Sequence, residues 1–421
     1  MSLSMVITIE NVSLLLGEDL ALVRKGRIEI ENGAFASIRE VREDGLVRAA
    51  DGTTVALDGS GLLAIPGLID AHTHIGDSVA KDAGLGCTIN ELIHPIHGMK
   101  TKILNETRPE EIAHAIAQTA RDMLAAGITT FADFREGGLG GVELALTALR
   151  GLGLRALILG RPNYHFAGDE LTDESSGLRP DAALEVERTL NLCSGIGLSG
   201  ANEYTGEAMR QMREAATREG KIMAIHASES LDSRGFSLER FSLTEVERLL
   251  KYIRPDFLVH LTNATEEELE AVAKSNIPVV CCPRANAILG LGFPPILELI
   301  GRRVRVALGT DNVMLNAPDM FREMDYTSKM LRALHRSPAV ISPKEILKMA
   351  TVNPAYVLGL GSQLGSIEVG KRADITFVDL KSSNLSDSRD VVASVVHRAR
   401  ADNVKCVMVN GEIVYGSIPR I

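Results

Sequence analysis

The sequence is poor in aromatic residues and in cysteine. It contains no tryptophan, aromatic residues make up 4% of its 421 positions, and its five cysteines include no Cys-x-x-Cys pair. An odd number of cysteines without such a pair argues against a disulfide framework and against a zinc site built from cysteine. Cysteine usage of this kind fits a chain that works in a reducing compartment.

The sequence also lacks the segments that would direct it into or across a membrane. Nowhere do eighteen apolar residues follow one another, and the first ten residues, "MSLSMVITIE", do not have the basic-then-apolar form of a secretory signal. We therefore expect a cytoplasmic protein with no membrane partner.

Positive charge is scarcer than negative charge. The chain has 45 lysines and arginines against 55 aspartates and glutamates, which gives a net charge of −10. The two signs are interspersed, so no basic stripe is available to follow a phosphate backbone. The expected partner is a small-molecule substrate and not nucleic acid, and the sequence leaves open whether the chain forms a homo-oligomer.

Both ends of the chain have the texture of short, half-exposed strands. Segments such as "GRIEIENG" near the start, and "GSIEVGKRADITFVDL" and "VKCVMVNGEIVYG" near the end, alternate apolar and polar residues. The last of them turns at Asn410-Gly411, a dipeptide that favours a hairpin. We predict one small β-sandwich domain built from residues 1–62 and 362–421.

The middle of the chain has a different rhythm, in which short apolar runs alternate with amphipathic helical stretches. Eight such runs occur in order: "LLAIPGLIDAH", "GITTFADF", "LRALILGR", "GIGLSGA", "KIMAIHA", "DFLVHLT", "IPVVCCP" and "RVALGTD". Eight consecutive β-α units predict a parallel (β/α)8 barrel of the TIM type over residues 63–361, and so an α/β fold class. A doubly wound sheet is the competing interpretation.

Histidines and an aspartate fall where four of these strands end. His72 and His74 end the first strand and point to the same side of it, because side chains alternate along a strand. His226, His260 and Asp311 end the fifth, sixth and eighth strands. The carboxyl ends of barrel strands meet at one face, so these side chains should converge, and this mixture of imidazole and carboxylate suits zinc or a similar divalent ion.

This pattern resembles the amidohydrolase superfamily of metal-dependent hydrolases. The resemblance rests on the His-x-His of strand 1, the later histidines and aspartate, and the closing segment "ATVNPAYVLGL" followed by "GSIEVGKRADITFVDL". Glu229, three residues after His226, and the segment "CCPRANAILGLGFPPI" are similar to the branch that contains cytosine deaminases, chlorohydrolases and S-adenosylhomocysteine or methylthioadenosine deaminases. The resemblance implies an aminohydrolase that releases ammonia from a small, heterocyclic amine.

The resemblance also implies a ligand set. It assigns one divalent ion to four side chains: His72, His74, His226 and Asp311. Zinc is the expected ion and iron the alternative. The lysine that bridges two ions in binuclear members is missing from "GIGLSGANEY", which favours a single ion, although Glu203 in that segment leaves a second ion open.

Catalytic roles follow from the same resemblance. Glu229 would carry a proton from water to the substrate, His260 would orient the attacking water and stabilise the tetrahedral intermediate, and Asp311 would act as ligand and as proton acceptor. Asp70, one step deeper on the face of His72, is expected to hydrogen-bond a ligand imidazole.

Loops over the barrel mouth select substrates in this fold. His97 and His165 lie in such loops, and Arg284 lies in the "CPRAN" segment, so we expect these three residues to contact substrate. Two other functions remain open at this point: hydrolysis of a cyclic amide or amide, as in imidazolonepropionases, and a non-catalytic scaffold. Ammonia release would separate the first of these from a deaminase, and metal content would exclude the second.

Overall fold

The structure is a computed structural model of the chain, and it describes residues 6–41, 54–94, 96–164, 166 and 170–421. Its strands are β1 (Val6–Leu16), β2 (Ala21–Glu31), β3 (Ala34–Glu40), β4 (Thr54–Asp58), β5 (Leu62–Pro66), β6 (Leu68–His74), β7 (Ile128–Arg135), β8 (Arg155–Gly160), β9 (Gly195–Leu198), β10 (Ile222–Ala227), β11 (Phe257–His260), β12 (Val279–Cys281), β13 (Val306–Leu308), β14 (Asp311–Asn312), β15 (Ile375–Asp379), β16 (Val404–Val409) and β17 (Glu412–Gly416).

The α-helices of the described residues are α1 (Ile89–Ile93), α2 (Met99–Glu106), α3 (Pro109–Ala125), α4 (Gly138–Leu149), α5 (Pro180–Leu192), α6 (Gly206–Arg218), α7 (Leu231–Phe241), α8 (Glu245–Tyr252), α9 (Glu266–Lys274), α10 (Pro283–Ile288), α11 (Ile296–Gly301), α12 (Met320–Leu334), α13 (Pro343–Lys348), α14 (Val352–Val357) and α15 (Val391–His397). No helix in this part of the chain is both long enough and apolar enough to cross a bilayer.

Nine parallel strands form the barrel, in the order β13-β12-β11-β10-β9-β8-β7-β6-β14. The two end strands are pieces of one strand, because only two residues separate β13 from β14. β13 pairs with β12, and β14 pairs with β6 through Asp311 opposite Thr73. The sheet therefore closes on itself, which confirms the predicted (β/α)8 barrel and removes the doubly wound alternative.

The local sequence explains why these segments alternate. All eight residues of β7 are buried, as expected for a parallel strand that is covered on both faces. Helices α3 and α6 are each followed by a glycine in the left-handed region, Gly127 at φ +83° and Gly220 at φ +64°. A glycine at this position ends a helix at no steric cost, so each helix stops where the chain must turn back to the next strand.

A second, mixed sheet contains strands from both ends of the chain, in the order β17-β16-β15-β5-β1-β2-β3, with β4 paired to β1. It bends back on itself, since the β2–β3 turn at Gly33 packs against the β16–β17 turn at Asn410 and Gly411. Its inner face encloses a separate apolar cluster that includes Ile9, Phe35, Phe377 and Met408. The predicted composite β domain is present in this form.

The first apolar run of the middle region proves to be two strands. In "LLAIPGLIDAH", β5 hydrogen-bonds to β15 in the terminal sheet, whereas β6 begins the barrel. The reading of this run as one barrel strand was therefore wrong. We propose that the two units meet at Gly67 and not after residue 62.

Closure of the barrel requires a close approach between its first and last strands. A Cβ atom on Gly309 would lie 2.8 Å from the Cβ of His72 and 2.9 Å from its backbone N and O. The backbone atoms of His72 cannot move aside to relieve this clash, whereas the end of a flexible side chain could. Gly309 is thus required for Asp311 to come alongside His72.

We expect Gly309→Ala to destabilise the protein, because the new methyl group would force strands β6 and β14 apart. An overpacked core costs about 1–3 kcal/mol, which would appear as a lower midpoint of thermal unfolding. Gly301→Ala is the matched control, since a Cβ there meets nothing within 4 Å. Equal midpoints for both variants and the wild type would contradict this account of closure.

Candidate functional site

Five polar side chains meet at the carboxyl-terminal mouth of the barrel. His72 and His74 come from the end of β6, His226 from β10, His260 from β11 and Asp311 from β14. All five are buried; the most exposed, His74 and His226, are each 7% accessible. The structure therefore brings together every residue that the sequence pattern predicted to converge.

The spacing of four donor atoms fits a single tetrahedral cation. The Nε2 atom of His226 lies 3.2 Å from that of His72 and 3.4 Å from that of His74. Oδ1 of Asp311 lies 3.3 Å from Nε2 of His72 and 3.5 Å from Nε2 of His74. Ligand atoms about 2.0–2.1 Å from a tetrahedral zinc ion are separated by about 3.3–3.4 Å, so the spacing matches.

Hydrogen bonds assign the protons of two of these imidazoles. Nδ1 of His226 lies 2.8 Å from the carbonyl oxygen of Leu198, and Nδ1 of His74 lies 2.9 Å from Oε1 of Glu136. Each Nδ1 must donate to these acceptors, so each Nε2 carries a lone pair that points into the cluster. That is the form in which histidine binds a metal.

His260 has the opposite tautomer. The hydroxyl of Thr262 donates to Oδ1 of Asn286 at 2.9 Å, which leaves the amide Nδ2 of Asn286 to donate to Nδ1 of His260 at 3.2 Å. The proton of a neutral His260 is therefore on Nε2. Its ring lies near the position of the cation, but its Nε2 atom carries a proton and can donate a hydrogen bond.

Burial keeps three of the imidazoles, those of His72, His226 and His260, uncharged. It lowers the pKa of His72 to about 3 and that of His260 to about 4, against the opposing effect of Asp311. The pKa of His226 falls well below its usual value for the same reason, with further lowering by the other histidines. Neutral imidazoles beside an ionised Asp311 form a set ready to bind a cation at neutral pH.

The backbone is strained where the site is built. His260 has φ +78° and Asp311 has φ +66°, values that side chains other than glycine rarely adopt. Such conformations cost about 1–3 kcal/mol each and persist where the surrounding structure enforces them, most often at functional sites. The strain turns both side chains inward at the ends of their strands.

Glu229 lies at the edge of this cluster, with Oε1 3.6 Å from Nε2 of His260. Within the described residues, Oε1 is buried without a hydrogen-bond partner. Burial raises the pKa of Glu229 well above its usual value, and the carboxylates of Asp311 and Glu245 raise it further. A carboxyl group in this setting can hold a proton at neutral pH and face a bound molecule with it.

Two cavities open onto the cluster. One, of about 360 Å³, is bounded by α2 and the loop after β7 and reaches His74, His226, His260 and Asp311. The other, of about 600 Å³, runs toward α7 and the loop after β9. Glu229 and His226 line both, so a molecule in either cavity would reach the same reactive point.

We expected Asp70 to hydrogen-bond a ligand imidazole, and it does not. Its carboxylate accepts from the backbone and hydroxyl of Thr310, at 2.9 and 2.5 Å, and more weakly from the backbone N–H of His72 at 3.5 Å. Thr310 directly precedes β14, the sheet neighbour of β6, and so lies beside Asp70. Asp70 therefore supports Asp311 through the backbone.

The residues expected to contact substrate have different outcomes. His97 is exposed, stacks on His94 with ring centroids 5.1 Å apart, and lines neither cavity. Arg284 also lies outside both cavities, because Glu323 binds it at 3.5 Å and Ala317 O accepts from its Nη1. His165 falls outside the described residues. For His97 and Arg284 the two cavities give no support, and substrate contact stays a prediction.

Sequence reasoning also missed part of the site. Lys100 of α2 and Glu136, which follows β7, are buried beside His74 and line the first cavity. The segment "DFREGG" at the end of β7 carried a signal, because charged residues directly after a barrel strand fall at the mouth. No such rule could place Lys100, since it lies in the short helix α2 of the long segment between β6 and α3.

Glu203 remains apart from the cluster. Its carboxylate hydrogen-bonds the hydroxyl of Ser199, and it is not among the groups that converge on one cation position within the described residues. Burial raises the pKa of Glu203. Its position gives no support to a bridging role between two ions.

Comparison with known sequences gives a consistent result. The model of the amidohydrolase family matches residues 63–414. The chain is 36% identical over 408 residues to a protein of Methanothermobacter thermautotrophicus named "Putative aminohydrolase", covering 97% of this chain and 99% of that one. It is 26% identical over 423 residues to the 5-methylthioadenosine/S-adenosylhomocysteine deaminase of Caldanaerobacter subterraneus, covering 96% of this chain and 92% of that one.

Among solved structures, an adenosine deaminase from Xanthomonas campestris with bound zinc superposes with a TM-score of 0.83. The two share 22% sequence identity, and the match covers 97% of this chain and 92% of the other. At this identity the likeness establishes the fold alone.

We expect purified protein to hold about one equivalent of divalent metal, and His226→Ala to lose most of it, because the substitution removes one of four donors. Metal content by plasma mass spectrometry measures this. His335→Ala, at an exposed position after α12, is the matched control and should keep its metal. Equal metal content in both variants would contradict the assigned cluster.

Proposed function

The chain belongs to the amidohydrolase family, and from that premise we propose that it is a metal-dependent aminohydrolase. As a family member it is a hydrolase of carbon–nitrogen bonds other than peptide bonds. The proposed reaction removes an amino group from a small heterocyclic substrate and releases ammonia. The observation that carries the proposal is the buried carboxyl group of Glu229, whose Oε1 has no hydrogen-bond partner among the described residues, beside a set of converging metal donors.

We assign the metal to His72, His74, His226 and Asp311, and we propose zinc as the ion. Three imidazole nitrogens and one carboxylate oxygen are donors that zinc accepts readily, and four protein ligands leave room for a water when the coordination expands. A bound divalent ion would supply Lewis-acid activation, lowering the pKa of water to about 7.

Glu229 moves the proton in this scheme. Its raised pKa allows Oε1 to hold a proton that it received from water and to pass it to a ring nitrogen of the substrate. Protonation of that nitrogen draws electrons from the carbon that bears the amine, which then accepts attack more readily. Both cavities expose Glu229, so a ring bound in either can receive this proton.

His260 and Asp311 complete the proposed scheme. Asn286 fixes the proton of His260 on Nε2, so this atom donates a hydrogen bond to negative charge that develops during attack. Asp311 holds Oδ1 toward the cation position, while Oδ2 is buried without a hydrogen-bond partner among the described residues. This free oxygen suits Asp311 to accept the second proton of water and to return it to the departing amine.

The relatives support deamination over the alternatives. The two sequence relatives described above bear the names of an aminohydrolase and of a deaminase. A scaffold that had lost catalysis would have gaps in its ligand set, whereas all four proposed ligands are in place and oriented. Ammonia release from a panel of purines, pyrimidines, triazines and pterins is the direct test.

We expect Glu229→Gln to lower kcat for ammonia release by about 10²- to 10⁴-fold, because glutamine cannot shuttle the proton. Metal content should stay near that of the wild type. Glu239→Gln on the exposed face of α7 is the matched control and should leave kcat unchanged. Full activity of Glu229→Gln would remove Glu229 from the mechanism. Lactam hydrolysis without ammonia, by the wild type, would replace the deaminase with a cyclic-amide hydrolase.

A further inference from the structure

Helix α2 reaches the site with one buried charge, the ammonium group of Lys100. We propose that Lys100 is a positioning residue that fastens α2 to two of the metal ligands, His74 and Asp311, so that the wall of the substrate cavity and the ligand set are held together. This inference rests on the proposed function for the presence of the metal, but it concerns contacts of the chain alone.

Lys100 is only 6% exposed, although α2 lies at the outer rim of the barrel. Its Nζ atom lies 2.5 Å from Oε1 of Glu136 and 3.0 Å from Oδ1 of Asn312. Oδ2 of Asp77, at 3.4 Å, forms an ion pair with it but no hydrogen bond. The buried ammonium thus has two carboxylates and one amide oxygen around it. Burying a charged lysine costs desolvation free energy, and ion pairs and hydrogen bonds of this kind offset that cost.

Two series of contacts, here called arms, connect Lys100 to the metal ligands. The first arm runs from Lys100 through Glu136 to His74. The same Oε1 atom of Glu136 that contacts Nζ of Lys100 also accepts from Nδ1 of His74 at 2.9 Å. The guanidinium of Arg135 holds the other oxygen of Glu136. Glu136 is thus fixed on both oxygens and, together with the carbonyl oxygen of Phe134 at 3.1 Å from the same Nδ1, sets the direction in which Nε2 of His74 points.

The second arm leads from Lys100 to Asp311. Nζ of Lys100 donates to Oδ1 of Asn312, which leaves the amide Nδ2 of Asn312 to donate to Oδ1 of Asp311 at 3.0 Å. The ammonium thereby fixes which way the Asn312 amide faces. Without it, the amide could turn and present its oxygen to the Asp311 carboxylate.

The third contact distinguishes positioning from simple packing. The ion pair with Asp77, whose Oδ1 accepts from the backbone N–H of Met314 at 2.9 Å, would alone suffice to hold α2 against the barrel. Packing of that kind would make Lys100 matter for stability and leave the ligands unaffected. Two separate arms that each end on a ligand predict an effect on metal affinity as well.

A coupling in both directions follows. Thr101, Leu104 and Asn105 of α2 line the first cavity, so the helix that shapes the substrate space is tied to the ligands through Lys100. Because coupling free energies are reciprocal, a metal that orders His74 and Asp311 must also stabilise the docked position of α2.

The test compares zinc affinity of Lys100→Met and wild type by competition with a chromophoric chelator, on metal-free full-length protein. Loss of a partner that orients metal ligands costs about 10- to 100-fold in affinity, and we expect a weakening of that size. Lys102→Met is the matched control, since Lys102 is exposed on the same helix. Lys100→Arg keeps the charge and should recover part of the affinity.

A second measurement uses only the wild type, so it stands even if Lys100→Met does not fold. Amide hydrogen exchange of residues 99–106 should slow when zinc is added to the metal-free protein. By contrast, residues 266–274 of α9, on another part of the barrel, should change little.

The outcomes separate the two claims. Equal zinc affinity of Lys100→Met and wild type, or unchanged exchange in α2 on adding zinc, would overturn the assignment of Lys100. Zinc binding that is weakened by Lys100→Met, in a protein that releases ammonia from no amine, would support Lys100 and remove the proposed function. A wild-type protein that binds no zinc would overturn both.

Discussion

The structure depends on the meeting of three imidazole nitrogens and one carboxylate oxygen in a buried cluster at the barrel mouth. His72, His74 and His226 direct Nε2 toward one point, with neighbouring donor atoms 3.2–3.5 Å apart. Lone pairs at that distance repel one another unless a cation lies between them. Protonation of an imidazole would also relieve this repulsion, but burial disfavours it, because burial lowers the pKa of His72 to about 3.

Much of the surrounding fold can be understood as the means of enforcing this meeting. Strand β14 must come alongside β6, which requires Gly309 against the backbone of His72 and the hydrogen bonds from Thr310 to Asp70. The left-handed backbone of Asp311 then turns its carboxylate inward. The stable barrel therefore holds strained backbone at its mouth, at His260 and Asp311, as is typical of catalytic sites.

The sequence predicted the barrel and the cluster because both depend on short-range rules. Strand ends of a parallel barrel share one face, so His226 and Asp311 could be placed together although 85 positions separate them. The rules failed where a side chain reaches across between strands or helices. Asp70 pairs with Thr310 and Arg284 with Glu323, and neither partner follows from spacing along the chain. Lys100 could not be foreseen, because the position of helix α2, which carries it, is set by tertiary contacts.

X-ray absorption at the zinc edge tests the central claim most directly, because it reports the ligand atoms around the ion in solution. A zinc ion held by His72, His74, His226 and Asp311 predicts a first shell of nitrogen and oxygen at about 2.0–2.2 Å, with the outer-ring scattering of three imidazoles. Sulfur at about 2.3 Å, or a second metal at about 3.5–4 Å, would contradict a single ion bound by these four side chains.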